Sequence, residues 1–343
     1  MLSSSLQSIK QWQPFRVDAL GLVTIFGAGE MNTAVGRLTE SWVTDWLPYL
    51  GAYTVANNDI AKKYQGFALY NITDGIMTND VCAWFTRWLI TSPLTYAATT
   101  ITLKFDGKPQ SVRLRAASIG LGLLSTMPLL LMSGLIEDWW GVANAMSMIV
   151  SILIRKVITS QLRKSIDTAA HSSGNSGDPV KVFLTLPNGK AVTIFGPRMA
   201  IVSCLLTSPR PINSLLYLQV RALGWFAFGV HAITLGMASL TSQIMSVFVL
   251  LLSSALKSYY VGDRTYNIGK RLRLEVELGD AEWTRRSAYA RLGLSPTEEN
   301  YMVRWSLFPQ RGNRFWWGRY RGTEVAFRHP KTSKSKGGVA VST

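Results

Sequence analysis

The chain has 343 residues, with 36 lysines and arginines against 20 aspartates and glutamates, and therefore a formal net charge of +16. Hydrophobic residues make up 48% of the chain and charged residues only 16%, whereas about a quarter of the residues in a soluble domain are charged. This shortage of polar surface argues against disorder and against a water-soluble globule, and it predicts a membrane protein. Two cysteines, Cys82 and Cys204, are too few for a disulfide framework and match no zinc-ligand spacing.

The first 80 residues mix aromatic and polar side chains and contain no apolar segment typical of a signal peptide. The sequon Asn71-Ile72-Thr73 makes Asn71 an N-glycosylation candidate, provided that this region is lumenal. A lumenal position requires that the apolar stretch Val81–Leu103 cross the membrane. That stretch contains Arg87 and Pro93. A re-entrant segment and a surface-lying helix are therefore alternatives to a transmembrane helix. The same three alternatives apply to Met199–Leu218, which contains two prolines and an arginine.

Two short segments of alternating residues surround Asp-Gly and Asn-Gly dipeptides, which favour tight hairpin turns. The first pairs residues 101–105 with 111–115, and the second pairs 182–186 with 191–195. Each predicted β-hairpin precedes a pair of apolar segments. This repeated order suggests an internal duplication, as is common among transporters, although coincidence is the simpler explanation.

Four apolar segments predict transmembrane helices arranged as two helical hairpins. The first hairpin covers 116–158, where Ala116–Ile136 alone is long enough to cross about 30 Å of hydrocarbon. The second covers 222–257, in which residues 222–256 carry no charge and the polar stretch 239–243 provides a turn. One long tilted helix is the alternative for this second region.

Lysines and arginines flank both apolar pairs, whereas neither turn contains one. By the positive-inside bias, both turns face away from the cytoplasm and the C-terminus is cytoplasmic. Trp139 and Trp140, at the first turn, suit the aromatic belt of the far interface.

The segment after the last apolar helix is basic, with 17 lysines and arginines against 8 acids in residues 257–343. Residues 272–278 alternate as in a half-buried strand, residues 281–292 favour a helix, and Ser295-Pro296-Thr297-Glu298 is typical of a capped helix start. We expect the strand to pair with the Asn-Gly hairpin, and residues 329–343, rich in Lys, Ser and Gly, to be disordered.

Arginines and aromatic residues alternate between residues 311 and 321. Beside a membrane this mixture favours contact with anionic lipid headgroups, while structural packing is an alternative and nucleic-acid binding is unlikely on this pattern. The candidate headgroup contacts are Arg311, Arg314, Trp316, Trp317, Arg319 and Arg321.

Ionisable side chains near the membrane are weak catalytic candidates. His231 lies inside an apolar segment, where an ionisable group is costly to bury. Glu137 and Asp138 lie at the first turn, where they could bind a cation, although a solvated turn explains them better. The paired Asp-rich helices of membrane prenyltransferases and terpene cyclases are not found. The sequence predicts no metal site and identifies no cofactor.

The sequence thus predicts a mainly α-helical, polytopic membrane protein with four transmembrane helices, a fifth being left open, and small cytoplasmic β-hairpins. We expect an anchor, assembly or transport component. The alternative is a membrane-embedded enzyme for an isoprenoid or lipid substrate, such as a terpene cyclase or transferase. The expected regions are 1–80, 81–115, 116–158, 159–221, 222–257, 258–328 and 329–343.

Overall fold

The computed structural model describes residues 28–41, 43–49, 55–106, 111–173, 178–259, 265–280 and 284–328. Within them the helices are α1 (Ala28–Gly36), α2 (Ala83–Thr91), α3 (Val112–Leu135), α4 (Trp139–Ser173), α5 (Ser214–Met237), α6 (Leu240–Tyr259), α7 (Arg285–Arg291), α8 (Pro296–Arg304) and α9 (Arg314–Arg328). The strands are β1 (Ala68–Asn71), β2 (Ile76–Thr78), β3 (Thr99–Lys104), β4 (Pro179–Thr185), β5 (Ala191–Pro197), β6 (Thr265–Ile268) and β7 (Leu272–Leu278).

Four helices, α3 to α6, are long and apolar enough to cross a membrane. The side chains of Ser111 and Asn213 accept hydrogen bonds from backbone N–H groups in the first turns of α3 and α5, which fixes where these helices begin. The apolar run 222–256 is broken at Ala238-Ser239, so the alternative of one long tilted helix is wrong. A break is needed because a straight helix of that length would far exceed the hydrocarbon thickness.

Helix α4 is much longer than expected. Its 35 residues correspond to about 52 Å, and it continues past the predicted end of the apolar segment to contact the sheet at β6 and β7. One rigid element therefore connects the four-helix bundle to the sheet.

The strands form one sheet in the order β2-β1-β4-β5-β3-β7-β6, and only the β3–β5 pair is parallel within the part of the chain that is described. The predicted Asn188-Gly189 hairpin is confirmed as β4–β5, and Gly189 has the positive φ, +81°, that its turn requires. Strand β7 is confirmed with its alternating burial. It pairs with β3 and β6 rather than directly with the hairpin as we had expected.

The first predicted β-hairpin is wrong. Residues 112–115 begin helix α3, and β3 pairs with β5 and β7 instead. The alternating pattern was too short to outweigh the helix cap at Ser111 and the long apolar helix that follows it. The turn itself, at 107–110, lies outside the described residues. The duplication hypothesis thereby loses the feature that suggested it.

The two marginal apolar stretches do not form continuous helices that could cross a bilayer. Val81–Leu103 forms α2 and most of β3. Met199–Leu218 continues a short helix, Arg198–Ala200, through a π-helical turn, Ile201–Leu206, into a proline-containing connector and the start of α5. Prolines and β-branched residues end the helical segments in both stretches.

The sheet lies between two helical layers, because successive side chains of its strands point to opposite faces. On one face Val182, Ile194 and Leu274 share a buried core with residues of α1, α2 and α4. On the other face Phe183 packs with residues of α7, α8 and α9. Helices α7 and α8 confirm the predicted C-terminal helices, including the capping box between Ser295 and Glu298. The segment 329–343, predicted to be disordered, lies outside the described residues.

Candidate anion site

Polar contacts cross the interior of the four-helix bundle, beside a small apolar core of Leu129, Ala145, Met148 and Leu250. Direct hydrogen bonds cross between helices at three levels: Ser133 Oγ to Ser242 Oγ (3.2 Å), Asn144 Nδ2 to Ser246 Oγ (2.9 Å) and Ser147 Oγ to His231 Nδ1 (3.3 Å). These residues are all buried. Polar side chains that hold helices together from within are typical of membrane bundles.

The outside of the bundle is apolar. Large apolar side chains on α3, α5 and α6 face outward, among them Leu124, Phe226 and Phe248, which are 71%, 69% and 63% exposed. Trp139 and Trp140, where α4 begins, are exposed as well. An apolar surface around an interior with buried polar contacts is the reverse of the arrangement in a water-soluble helical bundle.

The catalytic candidates His231, Glu137 and Asp138 do not form one site. His231 is buried and its ring Nδ1 faces Ser147, in the middle of α4. Asp138 lies directly before α4, and nine residues of helix separate it from Ser147, or about 14 Å. Glu137 is exposed, with φ of +54° in the turn.

Asp138 joins the two helical hairpins. It is 5% exposed, and its Oδ1 accepts from the Gly141 N–H (3.0 Å) while its Oδ2 accepts from the Ser239 N–H (2.8 Å). Burial disfavours the carboxylate, but the hydrogen bonds from Ser239 and Gly141 outweigh burial and lower its pKa. The solvated turn that we expected is therefore wrong for Asp138. The contact also shows that both turns lie at the same end of the bundle.

A cluster of buried cations occupies the opposite end of the bundle, around Asp45. Arg163 Nη1 and Lys156 Nζ donate to Asp45 Oδ2 at 2.9 and 3.0 Å, and Lys257 Nζ lies 3.9 Å from Oδ1. Burial opposes ionisation of Asp45, but the charges of Arg163, Lys156 and Lys257 hold its pKa well below its usual range. Asp45 is thus an ion-pair centre and is unsuited to accept protons as a general base.

Two more arginines attach the chain after α1 to this cluster. Arg155 Nη2 donates to the carbonyl oxygens of Asp45 and Leu47 (3.0 and 2.8 Å), and its guanidinium lies 3.6 Å from the ring centroid of Tyr49. Arg37 Nη2 donates to the Lys257 carbonyl oxygen at 3.2 Å. The segment that follows α1 therefore closes the end of the bundle.

A cavity of about 470 Å³ lies beside this cluster, where α3, α4, the segment after α1 and the β6–β7 turn meet. Its lining is Glu40, Asp45, Trp46, Arg115, Ser118, Lys156, Ser160, Arg163, Lys164, Asp167, Gly269 and Lys270. Five of these side chains are basic and three are acidic, so the lining has a net charge of +2 (5 − 3) when all are ionised. Cavities that bind small ligands have volumes of about 300–1,000 Å³.

Two of the three acids of the cavity, Asp45 and Asp167, are already engaged. Asp167 accepts hydrogen bonds from the backbone N–H groups of Lys270 and Arg271 (2.8 and 3.0 Å). Gly269, with φ of +72°, permits this approach, because a Cβ there would lie 2.5 Å from Asp167 Oδ1. Glu40 has a raised pKa because it is largely buried.

Several donors of the cavity remain available. Within the described residues no carboxylate forms an ion pair with Arg115, Lys164 or Lys270, whereas Lys156 and Arg163 pair with Asp45. Ser118 is 2% exposed, and its hydroxyl has no hydrogen-bond partner among these residues. The arrangement can bind an anion.

Sequence reasoning missed this site. It did not single out Asp45, and it used the lysines and arginines beside the apolar segments only to predict topology. A usable signal was present, since Lys156, Ser160, Arg163, Lys164 and Asp167 recur at helical spacing on one face of α4.

The predicted headgroup-contact residues divide into two groups. Arg311 and Arg321 donate to the buried carboxylate of Glu299, and Trp317 packs beneath them in the aromatic core. In the second group, Arg314 and Arg319 are exposed, and Trp316 is half-buried against Phe308 and Tyr320. The first group supports the packing alternative, and Arg314 and Arg319 remain candidates for lipid contact.

Asn71 lies at the end of β1 and is buried. Its Nδ2 donates to Asp74 Oδ2 at 2.7 Å, and its Oδ1 accepts from the Asp74 N–H. Glycosylation of Asn71 stays a prediction that requires a lumenal position, and the stretch Val81–Leu103, whose crossing would have provided one, forms α2 and most of β3 instead.

The two cysteines, distant in sequence, lie close together in the fold. Both are free and buried, and Cys82 Sγ donates to the Cys204 carbonyl oxygen (3.4 Å). Burial raises the pKa of Cys82 to about 12 and that of Cys204 to about 11. Both thiols are therefore unreactive at neutral pH.

Compared with models of known protein families, with curated proteins and with solved structures, the chain has no match. The four-helix bundle, its buried polar contacts and the basic cavity must therefore support any functional proposal by themselves.

Proposed function

We propose that this chain is a multi-pass integral membrane protein that anchors a folded sheet domain at the cytoplasmic face of a membrane, as a non-catalytic anchor or assembly component. The observation that carries this proposal is the distribution of side chains in the bundle, whose outer surface is apolar while polar contacts cross its interior. In hydrocarbon the exposed leucines and phenylalanines need no cover, and the buried serines, Asn144 and His231 find partners across helices.

The position of the basic residues supports the orientation. Arg115, Arg163 and Lys257 lie at the end of the bundle that carries the sheet, and the opposite end has the turns with Glu137 and Asp138. The positive-inside bias then assigns the sheet and helices α7 to α9 to the cytoplasm.

The geometry favours an anchor over a transporter or an enzyme. Polar groups on facing helices bond in separate pairs, as Asn144 Nδ2 does with Ser246 Oγ, while Asn144 Oδ1 and His231 Nε2 have no partner within the described residues. The separate pairs give no support for a continuous path. The catalytic candidates lie apart, since Asp138 directly precedes α4 whereas His231 faces Ser147, nine residues further on. Arg163, which binds Asp45, is 25 residues from Asp138, or about 37 Å along the helix.

Single cysteines labelled from one side test this proposal. We would place Glu137→Cys and Met237→Cys at the two turns and Arg304→Cys on the sheet domain, in sealed microsomes with their cytoplasmic face outward. Met237 and Arg304 are exposed. An impermeant maleimide should label Arg304→Cys at once and both turn variants only after permeabilisation.

The wild-type chain is the control, because its two buried thiols should stay unlabelled until the protein is denatured. Labelling of the turn variants in intact vesicles would contradict the proposed topology. Labelling of all three variants alike would contradict membrane insertion of the bundle.

A further inference from the structure

The cavity between α3, α4 and the β6–β7 turn has more positive charge than its acids can neutralise. Two of its five cations, Lys156 and Arg163, are paired with Asp45. Asp167 holds the backbone of the β6–β7 turn. Arg115, Lys164 and Lys270 are left to face a space of about 470 Å³.

Two further cations, which lie next to the cavity but do not line it, add to this excess of positive charge. Arg155 and Lys257 are 2% and 4% exposed and belong to the same cluster around Asp45. Burying several like charges is costly unless counter-charge is supplied. Asp45, and Glu40 near Arg163 and Lys156, supply at most two negative charges to the four cations Arg155, Lys156, Arg163 and Lys257, so an anion in the cavity would stabilise the whole cluster.

The other donors match a phosphate. Ser118 has a buried hydroxyl with no partner within the described residues, and Ser160 offers a second hydroxyl at the wall. Hydroxyls beside one arginine and two lysines provide the charge-assisted and neutral hydrogen bonds that phosphate oxygens accept.

The position of the cavity along the bundle axis indicates which kind of molecule would carry such a phosphate group. Helix α3 begins at Val112, and Arg115 and Ser118 lie in its first two turns. The apolar part of the helix starts at this same end. In the proposed membrane orientation this is the depth of the cytoplasmic headgroups, where anionic lipids concentrate.

We infer that the cavity is a binding site for the phosphomonoester headgroup of an anionic membrane lipid, held by Arg115, Lys164, Lys270 and Ser118. A phosphomonoester carries between one and two negative charges at neutral pH, which balances the lining charge of +2. The inference rests on the proposed membrane insertion. The bound headgroup would fix the segment after α1 and the β6–β7 turn against the bundle.

The full chain reconstituted in vesicles tests the inference. Thermal unfolding would be measured in phosphatidylcholine alone, with increasing phosphatidic acid, and with charge-matched phosphatidylglycerol. Phosphatidic acid should raise the unfolding temperature at mole fractions where phosphatidylglycerol does not. The double variant Arg115→Gln/Lys164→Gln should need at least about tenfold more phosphatidic acid for half of the effect.

The control variant is Arg304→Gln/Lys62→Gln, which removes two charges from exposed positions outside the cavity. It should respond to phosphatidic acid as the wild type does. Equal responses of the two double variants, or of the two anionic lipids, would overturn the specific site. An equal rise with inorganic phosphate in phosphatidylcholine vesicles would overturn the lipid as its source.

Flotation of the vesicles separates this inference from the proposed function. Protein that floats with phosphatidylcholine but gains nothing from phosphatidic acid contradicts the headgroup site alone. Protein that does not float with any of the vesicles contradicts membrane insertion itself.

Discussion

Asp45 shows how one side chain organises the end of the bundle. It accepts hydrogen bonds from Arg163 and Lys156 of α4 and lies 3.9 Å from Lys257 Nζ of α6. The same segment provides backbone acceptors for Arg155. Because its partners are buried, removal of its charge leaves them uncompensated, whereas loss of an exposed ion pair usually costs little.

We expect Asp45→Asn to lower the free energy of unfolding by about 3–5 kcal/mol, because it removes one partner from a buried ionic cluster. Thermal or denaturant unfolding of the purified protein in mild detergent would measure the loss. Asp106→Asn is the control, since Asp106 is exposed and outside the cluster. If the two variants were equally stable, Asp45 would not have this role.

The pH dependence of the Asp45 contribution has a definite sign. Its pKa is lowered in the fold, so its contribution is present above the ordinary carboxyl pKa of about 4 and is lost as the pH falls toward the folded value. The stability difference between wild type and Asp45→Asn should persist at about pH 5 and shrink below about pH 4. A difference that disappeared near pH 6 would contradict this assignment.

Helix α3 owes its position to a close approach at one glycine. A Cβ on Gly122 would lie 2.5 Å from the carbonyl oxygen of Trp46, in the segment that closes the cavity. Gly120, two residues earlier, has no heavy atom within 4 Å of its virtual Cβ. A side chain would therefore clash with the neighbouring segment at Gly122 but not at Gly120.

We therefore expect Gly122→Ala to destabilise the protein by about 1–3 kcal/mol, the usual cost of overpacking. Gly120→Ala should be neutral or stabilise the helix by up to about 1 kcal/mol, because alanine has the higher helix propensity. Unfolding temperatures of the two variants in the same detergent would decide. A loss of stability in both would point to a general intolerance of α3 rather than to contact with Trp46.

The molecule as a whole consists of a bundle with apolar outer surfaces and a sheet covered by helices on both faces, connected by α4. Exposed apolar side chains occur in both parts, but their surroundings differ under the proposed function. Phe226, near the middle of α5, is 69% exposed, and Phe315, in α9, is 71% exposed. In water the two positions would be equivalent.

We expect Phe226→Asp to reduce membrane integration sharply, because a carboxylate near the centre of a membrane helix costs about 3 kcal/mol. Phe315→Asp should leave integration unchanged. The carbonate-resistant fraction of each variant, normalised to wild type, would measure the effect. Equal tolerance of both substitutions would contradict a lipid-facing surface on α5.

The sequence alone determined the features that depend on local composition and period. Uncharged runs of helical length predicted the apolar parts of α3 to α6, the Asn-Gly dipeptide predicted the β4–β5 turn, and strict alternation predicted β7. Side-chain periodicity and turn chemistry act over a few residues, so they can be recognised in the sequence without knowledge of the fold.

Only the tertiary structure decided which distant residues meet. Strand β3 is paired by β5 and β7 rather than by its neighbour in sequence, and Asp45 meets cations more than 100 residues away. The same is true of the cavity, whose lining comes from four separate segments. Long-range contacts depend on how complete elements pack, and a buried charge carries no local pattern that identifies its partner.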